Sequence, residues 1–331
     1  MVRGVATQQL PYAHAKTGGF TQDAPTLHNP FDDDPLLEKV LRRWLPQQAY
    51  DAVAADLHAF GERVVSELNT LGRECDVHPP QLEQHDAWGR RVDRLVLTPA
   101  WGQLKQIAAQ EGLIAIGYER KHGQWSRLHQ FAKLYLFSPS AGLTTCPLAM
   151  TDGAAKTLEA LSLAKREGIT AEAFQRLTSR DPKKYWTSGQ WMTEKKGGSD
   201  VGSGCDTLAV RQDDGSFRLS GYKWFSSATD ADMALTLARV VDDQGDGVKG
   251  SKGLSLFLVR LRDAETNALN GIQIMKLKNK LGTKQVPTAE LLLDETVATK
   301  LSDDGRGVPA IANMLNITRM HNAVASVSSM R

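Results

Sequence analysis

The stretch Trp191-Met192-Thr193-Glu194-Lys195-Lys196-Gly197-Gly198-Ser199-Asp200 leaves a strand-like run and enters a glycine-rich loop. Paired glycines let backbone N–H groups approach a phosphate closely. The hydroxyls of Thr193 and Ser199 can donate to anionic or carbonyl oxygens. No Gly-Lys-Ser/Thr closes the loop and no G-x-G-x-x-G opens a helix, so it is neither a P-loop nor a dinucleotide fingerprint. Taken alone, a mobile surface loop is the simpler account. The second candidate is Lys223-Trp224-Phe225-Ser226-Ser227, at the end of a β-prone run. Neighbouring side chains on a strand point to opposite faces, so one aromatic can pack in the core while the other meets the edge of a planar ligand. Alone, core packing accounts for both.

Other chemistries are poorly provided for. His78 and His85 lack metal-pair spacing and no H-E-x-x-H occurs. Cys75, Cys146 and Cys205 are too far apart for a zinc motif or a disulfide framework, and burial is their expected fate. No G-x-S-x-G nucleophile elbow is present. The formal charge of +2 gives no basic stripe for nucleic acid; Lys276, Lys278, Lys280 and Lys284 form a short cluster that reads as a solvated strand face. No apolar run approaches a membrane span, and the first residues lack a signal-peptide core. A reducing compartment is expected, cytoplasmic first and mitochondrial matrix second.

The elements that must position these residues follow in a clear order. Residues 1–33 have no period and read as a leader arm, loose or packed on a partner subunit. Asp34-Pro35 is a helix start, with Asp as cap and Pro at the first helical position. Val53, Leu57, Phe60, Val64, Leu68 and Leu71 recur at steps of three and four, the stripe of one long helix. Leu104, Ile107 and Ala108 mark another, Leu128 to Tyr135 a third, and residues 147–163 a fourth. Strands are expected at 207–212 and 217–228, joined by the turn pair Asp214-Gly215, then at 233–240, 254–260, 272–278 and 289–298. Helical spacing resumes after Gly307. Strands do not alternate with helices, so a doubly wound parallel sheet is disfavoured. The expected domains are an all-α unit at 34–185, a β barrel or sandwich at 186–300, and the start of a second helical domain at 301–331.

Together the two candidate segments are far more specific than either alone. Thr193-Glu194, Gly198-Ser199-Asp200 and Lys223-Trp224-Phe225-Ser226 resemble the middle-domain pattern of the acyl-CoA dehydrogenase family. Lys280-Leu281-Gly282-Thr283-Lys284 is similar to the family's Lys-x-Gly-x-Arg, with Lys284 in place of the usual Arg, and Thr318-Arg319 is similar to its C-terminal Arg. His85 to Asp93 and Cys146-Pro147 look like the AidB-like branch. The resemblance implies an α+β multidomain fold: an N-terminal helical bundle, a middle β domain and a C-terminal helical domain. It implies FAD as cofactor and dehydrogenation of a fatty acyl-CoA across its α,β bond. Gln190, Trp191, Met192 and Thr193 would line the flavin. Gly198 and Ser199 would sit at the pyrophosphate, with Ser199 also near the acyl ligand. Trp224, Phe225, Ser226 and Ser227 would pack on the ring, with a hydroxyl near N5. Arg319 would meet the acyl-CoA end. A homotetramer and an electron-accepting flavoprotein are the partners implied.

The family's base is a Glu expected beyond residue 331, so no catalytic residue is assigned within this chain, and Glu194 is not given that role. Loss of a general base costs about 10²–10⁴-fold in rate. The chain is therefore expected to be inactive by itself and to expose Leu315, Ile317, Ala323 and Val324 as an association patch. Two alternatives stay open at this point: a non-catalytic acyl-CoA binding protein, and a DNA-associated flavoprotein.

Overall fold

The computed structural model of the chain describes residues 22–242 and 244–331. Most of the leader lies outside the described residues, but its end is tucked in. Asn29 Nδ2 donates to Glu62 Oε1 (2.8 Å) and to the His58 carbonyl (3.0 Å), fixing residues 29–31 on this chain's own helix. Asp34 then caps α1 (Pro35–Trp44) by accepting from the amides of Leu36 and Leu37. The apolar stripe expected at 53–71 runs through α2 (Gln47–Arg63), a π turn (Val64–Leu68) and α3 (Asn69–Val77). Its residues Val53, Leu57, Phe60, Val64 and Leu68 are all buried.

The region expected to be all-α carries a β hairpin, β1 (Gln81–His85) and β2 (Arg91–Val96). This corrects the helix-only assignment of 34–185. The hairpin is anchored by its polar side chains: Gln84 Nε2 donates to the carbonyls of Ile274 and Met275, and Asp93 Oδ2 accepts from the Ile274 amide. Helices then resume as α4 (Pro99–Gln110), α5 (Ile116–Glu119), α6 (Ser126–Phe137), α7 (Thr145–Ala160) and α8 (Ile169–Leu177). Glycine is required where α3 meets the turn before α7. A Cβ on Gly72 would lie 2.5 Å from the Ser140 carbonyl oxygen, and one on Gly142 would lie 2.8 Å from Cys75 Cβ.

The second unit comprises β3 (Ser188–Trp191), the short α9 (Val201–Gly204), β4 (Leu208–Arg211), β5 (Phe217–Ser227), β6 (Met233–Val241), β7 (Leu254–Arg260), β8 (Ile272–Leu277) and β9 (Thr288–Lys300). Strands β6, β4, β5, β9 and β7 close on themselves, because β7 pairs both β9 and β6. Strands β3 and β4 run parallel to β6 along successive parts of one edge; the other pairings are antiparallel. The apolar runs of β6 and β7 are buried almost throughout, as expected for strands lining a closed barrel.

Helix α10 (Gly307–Met330) leaves the barrel and lies against α7 and α6. Ile317 is therefore buried rather than part of an exposed patch, and Leu315 is half-buried. Ala323, Val324 and Val327 do border an open apolar groove with Leu36, Val40 and Phe131. The tie between α10 and the helical unit is polar. Asp152 of α7 is wholly inaccessible to water. Its carboxylate accepts from Tyr118 (2.7 Å), Arg127 (2.7 and 2.8 Å), Gln130 (3.0 Å) and His321 Nε2 (2.9 Å). Burial alone would push this carboxyl up, but the His321 hydrogen bond and the Arg127 charge outweigh it and hold it at about 2.

A folded value below the unfolded one means stability that is present above pH ~4 and lost as the group is protonated toward pH ~2. The shift from 3.8 to about 2 corresponds to roughly 2 kcal/mol. Asp152→Asn should therefore unfold more easily than the parent chain at pH 7. The gap should narrow as pH falls from about 4 to about 2, read from denaturant midpoints at a series of pH values.

Candidate active site

The two segments singled out in the sequence meet at one buried ion pair. Lys223 of β5 is 0% exposed and Glu194 is 5% exposed. Lys223 Nζ donates to Glu194 Oε1 at 2.7 Å and to the Leu237 carbonyl at 2.9 Å. Glu194 also accepts from the Thr207 hydroxyl (2.6 Å) and the Asp206 amide (2.7 Å). Burial pushes the Glu194 carboxyl up, yet Lys223 and these donors bring it below its ordinary value. Such a carboxylate is fully committed to neighbouring donors. Beside the pair, the Trp224 amide donates to the Thr193 carbonyl at 2.9 Å, stitching the loop to the strand.

The glycines of the loop divide by role. A Cβ on Gly197 would lie 2.7 Å from Gly204 Cα, so glycine is demanded there by the chain itself. A Cβ on Gly198 would meet nothing closer than Thr193 Cγ2 at 4.0 Å, so the space beside it is open. Ser199 is exposed, and Asp200 is occupied as the cap of α9, accepting from the Ser203 amide.

At the end of β5 the pairing with β9 slips. Lys223 faces Leu291 while Ser226 faces Ala289, a bulge that places one more residue on β5 than on its partner. The bulge breaks the expected alternation. Trp224 is half-buried, with Lys278 Nζ 3.2 Å from its ring centroid. Phe225 is 46% exposed, a large aromatic face turned outward. Ser226 points into the interior, where its hydroxyl finds no partner. Ser227 borders a cavity of about 440 Å³, its hydroxyl 3.0 Å from that of Thr288.

That cavity gathers residues from every layer of the molecule. Gln190 comes from β3, Ser227 from β5, and Thr283 from the loop before β9. Leu134 of α6 and Cys146, Ala149 and Met150 of α7 supply a mostly apolar wall. Thr318, His321, Asn322 and Ala325 supply one face of α10 at helical spacing. No carboxylate lines it among the described residues. Burial pushes the Cys146 thiol up to about 11, so it is a neutral wall atom and not a nucleophile.

Of the residues expected at a site, Gln190 and Ser227 are thus brought to one cavity. Met192 and Thr193 are half-buried beside it in sequence. The Trp191 side chain is 0% exposed in the core and its indole N–H donates to the Ser227 carbonyl at 3.0 Å, so only its main chain is available to a ligand. Ser226 is likewise turned inward by the bulge. Arg319 is exposed on α10, and its neighbour Thr318 lines the cavity instead. The lysine cluster is engaged: Lys276 and Lys278 both pair with Glu290, at 3.8 and 2.8 Å, and Lys280 donates to the Val286 carbonyl and the Thr288 hydroxyl, both at 2.9 Å. The α6, α7 and α10 linings were not foreseen, although Thr318, His321, Asn322 and Ala325 form an i, i+3, i+4, i+7 set whose polarity reads as a solvent face.

Residues 23–181 match the family described as adaptive response protein AidB N-terminal domain, and residues 189–296 match the acyl-CoA dehydrogenase middle domain. Acyl-CoA dehydrogenase family member 11 of Caenorhabditis elegans is 60% identical, over 99% of this chain and 53% of its own. The putative acyl-CoA dehydrogenase AidB of Escherichia coli is 31% identical, over 83% of this chain and 50% of its own. The crystal structure of C. elegans ACDH-11 in complex with C11-CoA superposes with a TM-score of 0.93 at 60% identity, covering 98% of this chain and 55% of that one. The chain spans about half the length of these curated relatives.

Removing one partner of the buried pair leaves the other charge uncompensated. Lys223→Met alone should cost about 3–5 kcal/mol of stability, measured by equilibrium denaturation; a loss under about 1 kcal/mol would mean that the pair is not buried as described.

Proposed function

This chain belongs to the acyl-CoA dehydrogenase family, in its AidB-like branch, and from that premise we propose that residues 1–331 form the part of a flavoprotein that binds FAD and a fatty acyl-CoA thioester without turning it over. The observation that carries this reading is the convergence of Gln190 and Ser227, from two different strands, on one cavity whose far wall is apolar.

The donor set suits a flavin edge. Gln190, Thr193 and Ser227 offer neutral donors and acceptors at the ends of β3 and β5, the exposed ring of Phe225 offers a stacking face, and the open space beside Gly198 admits a phosphate or ribityl group. Ser199 stands at the same loop. When bound, FAD would supply the two-electron acceptor for α,β-dehydrogenation. The chain's own residues bind and orient: the main chain from Gln190 to Thr193 and the Ser227 hydroxyl hold the ring edge, and Leu134, Ala149 and Met150 exclude water from an acyl chain. The C11-CoA held by the C. elegans relative supports an acyl thioester as the second ligand.

Dehydrogenation also needs a group to take the α proton. Among the described residues no carboxylate lines the cavity, Glu194 is locked to Lys223, and His321 commits Nε2 to Asp152. These positions support binding rather than turnover. A DNA-associated role finds little support, since Lys278 and Lys280 are occupied by neighbouring groups.

After incubation with FAD and gel filtration, the chain should retain a flavin absorption band and show no reduction of an artificial acceptor with any acyl-CoA. Ser227→Ala should weaken FAD binding about five-fold, the value of one hydrogen bond of ~1 kcal/mol. Ala149→Trp should weaken acyl-CoA binding and leave FAD binding alone. Turnover by this chain would overturn the binding-only reading; absence of both ligands would overturn the whole.

A further inference from the structure

We propose that Glu194 and Lys223 are positioning residues of the flavin site, and that their pairing governs cofactor affinity rather than the stability of the fold. The proposal rests on the flavoprotein reading above.

Two buried charges, 0% and 5% exposed, stand where the glycine-rich loop meets β5. Taking two charges out of water is costly, and apolar residues of similar volume often serve stability as well or better. What an apolar pair cannot do is fix direction, since apolar attraction is non-directional. The observed pair fixes direction through hydrogen bonds to several elements. Glu194 is bound by Lys223, by the Thr207 hydroxyl and by the Asp206 amide, and Lys223 reaches on to the Leu237 carbonyl of β6. Thr193 is the residue before Glu194, and Trp224 the residue after Lys223. Their main chains are joined at 2.9 Å.

The bulge of β5 lies immediately beyond Lys223. Bulges re-aim side chains, and a slip of one residue turns each side chain to the opposite face. A slip here would present Trp224 and Ser226 where Phe225 and Ser227 now stand. Lys223, fixed at both ends of its ammonium contacts, pins the strand on the near side of that bulge. The pair thereby decides which aromatic and which hydroxyl reach the cofactor, while contributing nothing to the site itself.

The test is the double change Glu194→Gln with Lys223→Met in the whole chain. It removes both charges together and keeps one acceptor oxygen for the Asp206 amide, while the new side-chain NH2 can donate to the Thr207 hydroxyl. The expected result is a protein that melts within a few degrees of the parent, binds FAD at least about ten-fold more weakly, and shows a bound-flavin spectrum with blurred vibronic shoulders. FAD affinity and spectrum unchanged in the folded double variant would overturn the proposal. So would a double variant that fails to fold, because the pair would then serve stability. A parent chain that takes up no FAD at all would instead end the flavoprotein reading, an outcome recognised before any variant is made.

Discussion

A carboxylate with no access to water must be enclosed by donors, and Asp152 meets that demand by drawing four helices together. Tyr118 reaches it from α5, Arg127 and Gln130 from α6, and His321 from α10, while Asp152 itself stands on α7. The cavity depends on this arrangement because its walls are the same α6, α7 and α10. Besides the His321 contact, α10 is tied to the helical unit by Ser328, whose hydroxyl donates to the Tyr135 carbonyl at 2.5 Å, and by apolar side chains such as Met314 and Ile317, which by themselves leave its rotation weakly specified. With the His321 contact, the Thr318–Ala325 face is turned toward the barrel.

The barrel side solves the corresponding problem with an ion pair. Both devices place charge where water cannot reach and satisfy it almost completely, the condition under which a buried polar group specifies a single geometry. One ties together helices that line the cavity, the other holds the strand whose end borders it. The apolar side chains between them, Leu134, Ala149 and Met150, give volume without direction.

Much of this was legible in the sequence. The barrel strands declared themselves by length and turn residues, and Thr193-Glu194 with Lys223-Trp224 carried the family likeness because the chemistry fixes those residue types. The β1–β2 hairpin did not, since its stability comes from Gln84, Arg91 and Asp93 bonding to distant main chain near Ile274. A local pattern holds no trace of such a partner. The β5 bulge was hidden for a similar reason: it exists only in the pairing with β9, and it alone decides that Ser227 meets the cavity while Ser226 is buried. The polar face of α10 was misleading because cavity-lining and solvent-facing positions draw on the same residues.

The close approach of Gly72 to the Ser140 carbonyl has a bearing on which ligands fit. The turn at residues 138–143 forms one wall of the cavity through Ser138 and Leu143, and behind it stands α3, with Gly72 against the Ser140 carbonyl and Cys75 against Gly142. Main chain seated against main chain fixes that one contact, and a cavity of about 280 Å³ bordered by Asn69, Arg73, Asp76 and Gln285 lies beside it. On the binding reading proposed above, length discrimination would fall to the side chains that line the space, Leu143, Ala149 and Met150, whose trimming or enlargement would reset the measure like notches on a rule.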